Sequence, residues 1–149
     1  ILHVLGPKNI RGATRITDEL TGASWLPMGY VDDMASAYAA ADLMVARSGA
    51  GTVVETATVG LPTIYVPLPH GNGEQARNAT SAVDAGAGVV VANADLDAER
   101  LLAETARIHD ADVLAQMSAA GRGLMPAHAA EEMAVRVISA ATSIDPTIG

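Results

Sequence analysis

The segment Arg47-Ser48-Gly49-Ala50-Gly51-Thr52-Val53-Val54-Glu55 carries residue types that can hold an anion. It follows the apolar run Leu43–Ala46 and opens a helix-like run that ends near Gly60. The first amides of a helix lack internal partners, and the helix dipole favours negative charge at that end. Gly49, Ala50 and Gly51 have little or no side chain, so a phosphate can approach the backbone closely. Glu55, about one turn further on, is an acceptor suited to a sugar cis-diol. Together these suggest a nucleotide diphosphate. A competing reading is local: Thr52-Val53-Val54-Glu55 has the pattern of a capping box, in which Glu55 only closes the helix end. A carboxylate 4 Å from a pyrophosphate charge would be repelled by about 4 kcal/mol at an effective dielectric of 20. The ligand reading therefore needs Glu55 to point past the phosphates to a ribose. A three-residue helical offset, roughly 4–5 Å, allows this.

A second cluster is Pro67-Leu68-Pro69-His70-Gly71-Asn72-Gly73-Glu74-Gln75-Ala76-Arg77-Asn78. It follows the strand-like run Thr63–Val66, at the C-terminal edge where open parallel sheets bind ligands. Glu74, Gln75 and Asn78, with His70 and Asn72, offer the donors and acceptors that sugar hydroxyls require. An ordinary polar loop, with Asn72 or Gly73 starting a helix, accounts for the same residues. Both loops lie on one sheet edge, one βα unit apart, and that favours the ligand reading. Asp32-Asp33 has the look of a metal–nucleotide pair, but neighbours in a strand-to-helix turn point apart. Here Asp32 is expected to cap a helix and Asp33 to complement its dipole, with no metal bound. The backbone at Tyr30–Val31 could pair with the edge of a flat base. Ser48 has no His/Asp partner at a nucleophile's spacing. His3, His109 and His128 read as structural or solvent-facing, and Trp25, Met28 and Met34 as core or cleft wall.

The elements that position these residues alternate. Strands are expected at Ile1–Leu5, Ser24–Met28, Leu43–Ala46, Thr63–Val66 and Val89–Ala92, and helices near Asp33–Ala41, Thr52–Val59 and Glu74–Ala85. Apolar β-branched runs separated by helices predict an α/β fold: a Rossmann-like parallel sheet with flanking helices. Arg11–Gly22 reads as a helix or a loop. Gly86-Ala87-Gly88 reads as a helix stop before a strand. After Asp95 the pattern becomes a C-terminal helical segment, with helices near Asp97–His109, Asp112–Gly121 and Ala127–Ala141 and a frayed tail from Thr142. The expected organisation is a single domain over 1–149, with an α/β part to about residue 94 and helices over about 95–141.

Composition narrows the function. Half of the 149 residues are hydrophobic and 17% are charged, so the chain can bury a core. Nine scattered Lys and Arg within a net charge of −8 argue against nucleic acid. The absence of cysteine excludes disulfides, thiolate zinc sites and a Cys nucleophile. No apolar run reaches the roughly 18 residues of a membrane span. The chain starts at Ile1 inside a strand-like run, which suggests a piece of a longer protein.

Several of these stretches resemble the MurG family of bacterial N-acetylglucosaminyltransferases. They are Tyr30–Met34, Ala39–Leu43, Arg47–Ala50 with Thr52 and Glu55, Gly60-Leu61-Pro62, Val66-Pro67, and Gly73-Glu74-Gln75 with Asn78-Ala79. The resemblance runs from about Gly6 to Val91, with loops of an actinobacterial type. It implies the C-terminal, donor-binding half of an inverting, two-domain GT-B enzyme that passes N-acetylglucosamine from UDP-N-acetylglucosamine to lipid I, making lipid II for peptidoglycan. It further implies that Val31 backbone groups read uracil, and that Ala50, Gly51 and Thr52, with Ser48, lie by the diphosphate. Glu55 would hold the ribose, while Gln75, Glu74 and Asn78 would contact the sugar. No cofactor is implied, and no metal at the donor phosphates. The implied location is cytoplasmic and peripheral on the inner face of the membrane, with lipid I and membrane contact falling to an N-terminal half not present here.

The chain also departs from the family pattern. The family's first donor-domain strand and Gly-Gly-Ser-Gln-Gly-like loop are missing, as is any catalytic residue; the family's proposed base histidine belongs to the absent half. Gly51 replaces a larger apolar residue, and Glu74 replaces Gln of some members. Other GT-B UDP-sugar enzymes (a glycolipid synthase or a UDP-sugar epimerase) and a non-catalytic α/β binding module are the competing expectations.

Overall fold

A computed structural model describes residues 1–126 and 128–142. The elements run β1 (Leu2–Val4), β2 (Ile16–Thr17), β3 (Ser24–Met28), α1 (Met34–Ala39), β4 (Met44–Ala46), α2 (Ala50–Val59), β5 (Thr63–Tyr65), α3 (Glu74–Asp84), β6 (Gly88–Val90), a 3-10 turn (Asn93–Asp95), α4 (Ala98–Ile108), α5 (Ala111–Arg122) and α6 (Ala129–Thr142). The architecture is α/β, with parallel strands, flanking helices and a C-terminal helical segment. Contacts divide the chain into two units, Ile1–Ala40 and Ala41–Gly149.

In the first unit β3 is central, with β1 parallel to it (Val4 opposite Met28) and β2 antiparallel (Ile16 opposite Trp25). The segment Arg11–Gly22, read as helix or loop, is a loop that carries the short antiparallel β2. This two-residue strand adds a short antiparallel pair beside the parallel β1–β3 pair. Few side chains are buried here, as expected for about 40 residues. Val31 is the buried apolar residue of this unit. Trp25 donates from Nε1 to His3 Nδ1 (3.2 Å), which makes the His3–Trp25 pair structural. Helix α1 is capped by Asp33, whose carboxylate accepts from the amide and hydroxyl of Ser36 (3.0 and 2.6 Å). The cap is therefore Asp33 rather than Asp32, because Asp33 is the residue whose side chain reaches the exposed third amide of the helix.

In the second unit β4, β5 and β6 form a parallel sheet in that order, with Ala46 opposite Tyr65 and Tyr65 opposite Val90. The two-residue period of a strand sends Ile64 and Tyr65 to opposite faces. Tyr65 packs with Val53 of α2, Ala79 and Ala82 of α3, and Ala87. Ile64 packs with Val91, Ile108 of α4 and Met117 of α5. Both residues are essentially inaccessible, so the strand is covered on both sides. The Ala-rich helix faces allow close approach, and at one point there is no room for a methyl group. A Cβ on Gly88 would lie 2.7 Å from Thr63 O and 2.7 Å from the Tyr65 ring. The expected helices over Asp97–His109 and Asp112–Gly121 appear as α4 and α5, each capped by the aspartate before it, Asp97 and Asp110. The third appears as α6. Ala127 and the tail beyond Thr142 lie outside the described residues.

Candidate functional site

The site residues of the second unit sit where β4 and β5 end. Chain leaving β4 passes through Arg47 and Ser48 and enters α2 at Ala50, with Gly49 as N-cap. The expected capping box is corrected here. The helix starts two residues before Thr52, so Thr52 lies inside the first turn and Gly49 makes no side-chain cap. The cause is conformational: Gly49 takes the extended N-cap backbone (φ −62°, ψ 148°), so Ala50 and Gly51 already turn helically. The Glu55 side chain leans back toward the N-terminus, as helical side chains do. Its Oε1 lies 3.9 Å from where a Gly51 Cβ would stand. Ala50, Gly51 and Glu55 are exposed, and Thr52 is half-buried.

Ser48 is fully buried at the foot of this helix, and its Oγ has no hydrogen-bond partner in the structure. Buried hydroxyls are nearly always satisfied, so this one retains hydrogen-bonding capacity beside the helix N-terminus. The Ser48 carbonyl is engaged by Asn78 Nδ2 at 3.1 Å. That bond ties α3 to the β4–α2 turn across 30 residues of sequence.

The second loop leaves β5 through buried Val66 and Pro67, then exposes Leu68 to Gly73. Gly71 and Gly73 have positive φ (87° and 67°), backbone that glycine adopts without strain. Gly73 is the N-cap of α3 and makes no side-chain cap, so Glu74 and Gln75 form the helix's first turn. Gln75 Oε1 accepts from Leu68 N (3.0 Å), folding the loop back onto the helix. Its amide nitrogen is the end that could donate to a ligand. Arg77 Nη1 donates to Asn72 O (2.6 Å) and holds the other side of the loop. Exposed Glu74 stands at the rim.

The structure thus brings Ser48, Ala50, Gly51, Thr52, Glu55, Glu74, Gln75 and Asn78 into one unit, on the turn before α2 and the N-terminal halves of α2 and α3, joined by the Asn78–Ser48 bond. Val31 belongs to the first unit. Two contributors went unassigned in the sequence. Arg47 Nη1 donates to Val66 O (3.0 Å), Pro67 O (3.4 Å) and Asn93 Oδ1 (2.7 Å). Arg47 stood in the first motif, but its target Asn93 lies 46 residues away in a stretch without any pattern.

Two turns at the C-terminal edge of a parallel sheet, one of them leading into a helix N-terminus, form an edge of the kind at which open α/β domains bind ligands. Residues 1–134 match the family model of the glycosyltransferase family 28 C-terminal domain, and the chain belongs to that family. It is similar to the UDP-N-acetylglucosamine--N-acetylmuramyl-(pentapeptide) pyrophosphoryl-undecaprenol N-acetylglucosamine transferase of Cutibacterium acnes, at 99% identity over the whole chain and 40% of that protein. The transferase of the same name from Mycolicibacterium paratuberculosis is 49% identical over 80% of this chain and 29% of its own length. The crystal structure of Acinetobacter baumannii MurG superposes with a TM-score of 0.75 at 28% identity, covering 82% of this chain and 37% of that one. The chain therefore spans between 29% and 40% of the length of these relatives.

Proposed function

We propose that the chain is the donor-binding half of an inverting transferase that moves N-acetylglucosamine from UDP-N-acetylglucosamine to lipid I. The Asn78–Ser48 bond supports this most directly, because it joins the anion-type turn to the sugar-type turn beside a buried, unsatisfied hydroxyl. In this reading Ser48, Ala50, Gly51 and Thr52 hold the diphosphate, the Ser48 hydroxyl supplying a hydrogen bond that it otherwise lacks. Glu55 accepts from the ribose hydroxyls. Glu74, Gln75 and Asn78 contact the hexosamine.

The chemistry is displacement at the sugar's anomeric carbon: the acceptor hydroxyl forms the new bond, UDP leaves, and configuration inverts. Charge grows on the departing diphosphate, and the α2 amides and dipole stabilise it there. The names of the relatives support UDP-N-acetylglucosamine as donor and the undecaprenyl-linked muramyl peptide as acceptor. Acceptor binding, the base and peripheral contact with the inner membrane face are assigned to the remainder of the protein. Among the described residues no helix is long and apolar enough to cross a membrane.

The test is a donor panel on the full-length protein with a lipid I analogue. Transfer from UDP-N-acetylglucosamine well above transfer from UDP-glucose or UDP-N-acetylgalactosamine is expected. Epimerised UDP-sugar, or sugar on a diacylglycerol acceptor instead, would reject the reading.

A further inference from the structure

Arg47 leaves β4 at the edge where the two ligand turns meet, yet among the described residues no carboxylate is paired with it. By contrast, Arg100 and Arg107 each pair with the Glu104 carboxylate. Arg47 is held instead by neutral acceptors: two backbone carbonyls after β5 and the side-chain amide of Asn93 after β6. The shortest of the three bonds is the one to Asn93, at 2.7 Å. Two Nη1 hydrogens serve three acceptors, so the longer contact to Pro67 is a shared one. The result is a strut across the ends of all three parallel strands. It fixes the guanidinium while leaving its charge uncancelled.

We propose that Asn93 is a positioning residue for the donor diphosphate, acting through Arg47. It keeps a full positive charge next to the β4–α2 turn and holds the β5 exit at a set distance from it. An aspartate at this position would give a stronger bond and a worse site, because it would cancel the charge. This inference rests on the diphosphate reading of the turn.

The test uses Asn93→Ala and Asn93→Asp in the full-length protein, with three readouts. The first is donor KM and kcat. In both variants KM for UDP-N-acetylglucosamine should rise by about tenfold, the worth of one hydrogen bond to a charged group, with kcat within about twofold of the parent. The second is uridine against UDP affinity. UDP should weaken while uridine, which has no phosphate, stays unchanged. The third is amide exchange across Val66–His70 without ligand. It should speed up in Asn93→Ala and remain at the parent rate in Asn93→Asp, which keeps the bond and loses only the charge. Unchanged KM in both variants, or uridine and UDP weakened alike, would overturn the proposal. Exchange unaltered in Asn93→Ala would overturn it as well. If the parent protein ignores UDP and its sugars altogether, the diphosphate reading itself falls, and the exchange result still decides whether the strut orders the loop.

Discussion

Glu55 is the residue at which two physical accounts can be separated. With α2 beginning at Ala50, its Cα lies roughly 7–8 Å along the axis from the helix start. Its side chain nevertheless reaches back over Gly51. In the proposed reading this carboxylate serves a ribose diol rather than the diphosphate. In the full-length protein Glu55→Ala should therefore weaken UDP by about tenfold and free pyrophosphate by much less, as calorimetry can show. Equal loss for both ligands would mean that Glu55 merely supports the helix end. Asp33 makes a different prediction. Hydrogen bonds from the Ser36 hydroxyl and then its amide hold the Asp33 carboxyl below the usual aspartate range. A group whose native pKa is lowered binds its proton less readily folded than unfolded. Its contribution is complete above the ordinary aspartate pKa and is lost as pH falls through the lowered native value. Asp33→Asn should therefore lower stability at neutral pH and flatten the acid limb of a stability–pH curve, the variant and parent converging at low pH; an unaltered neutral region and acid limb would contradict this.

At the scale of elements, the β5–β6 contact decides whether the edge carrying the site keeps its shape. Gly88 faces Thr63 across the parallel pair and sits against the Tyr65 ring. Gly88→Ala should cost about 1–3 kcal/mol through overpacking, read as a lower denaturation midpoint at unchanged slope. An unchanged midpoint would mean that the sheet yields at no cost. Tyr65 is itself satisfied by Thr56, their hydroxyls 2.8 Å apart in the core. The same elements show what sequence could reveal. Apolar runs between turn residues placed β1 and β3 to β6, most plainly β5, which is buried throughout. The two-residue β2 has no period to detect. The start of α2 was missed by two residues because Ala50 and Gly51 are not capping types, and backbone at Gly49 rather than a side chain begins the turn. The two turns at the sheet edge were legible from local composition. The Arg47–Asn93 strut was not, since only the closed β4–β5–β6 sheet brings the two residues together.

For the whole molecule, the governing fact is that a transfer reaction needs two substrates aligned. Proximity and orientation can supply about 7–11 kcal/mol of a bimolecular barrier, but only if both partners are held. The second unit presents one sheet edge with the two turns described above, and the family match concerns a C-terminal domain. No cluster of three or more His, Asp or Glu able to hold a metal occurs among the described residues. The residues that would hold an acceptor hydroxyl and take its proton are assigned to the rest of the relatives' length. Incubated alone with donor and a lipid I analogue, the 149-residue chain should form no disaccharide-lipid, whereas the full-length protein should. Adding the remainder of the protein as a separate chain should restore turnover only at concentrations where the two associate, because alignment then depends on a bimolecular step. Turnover by the 149 residues alone would show that this edge also binds and activates the acceptor, and the division of labour between the halves would have to be redrawn.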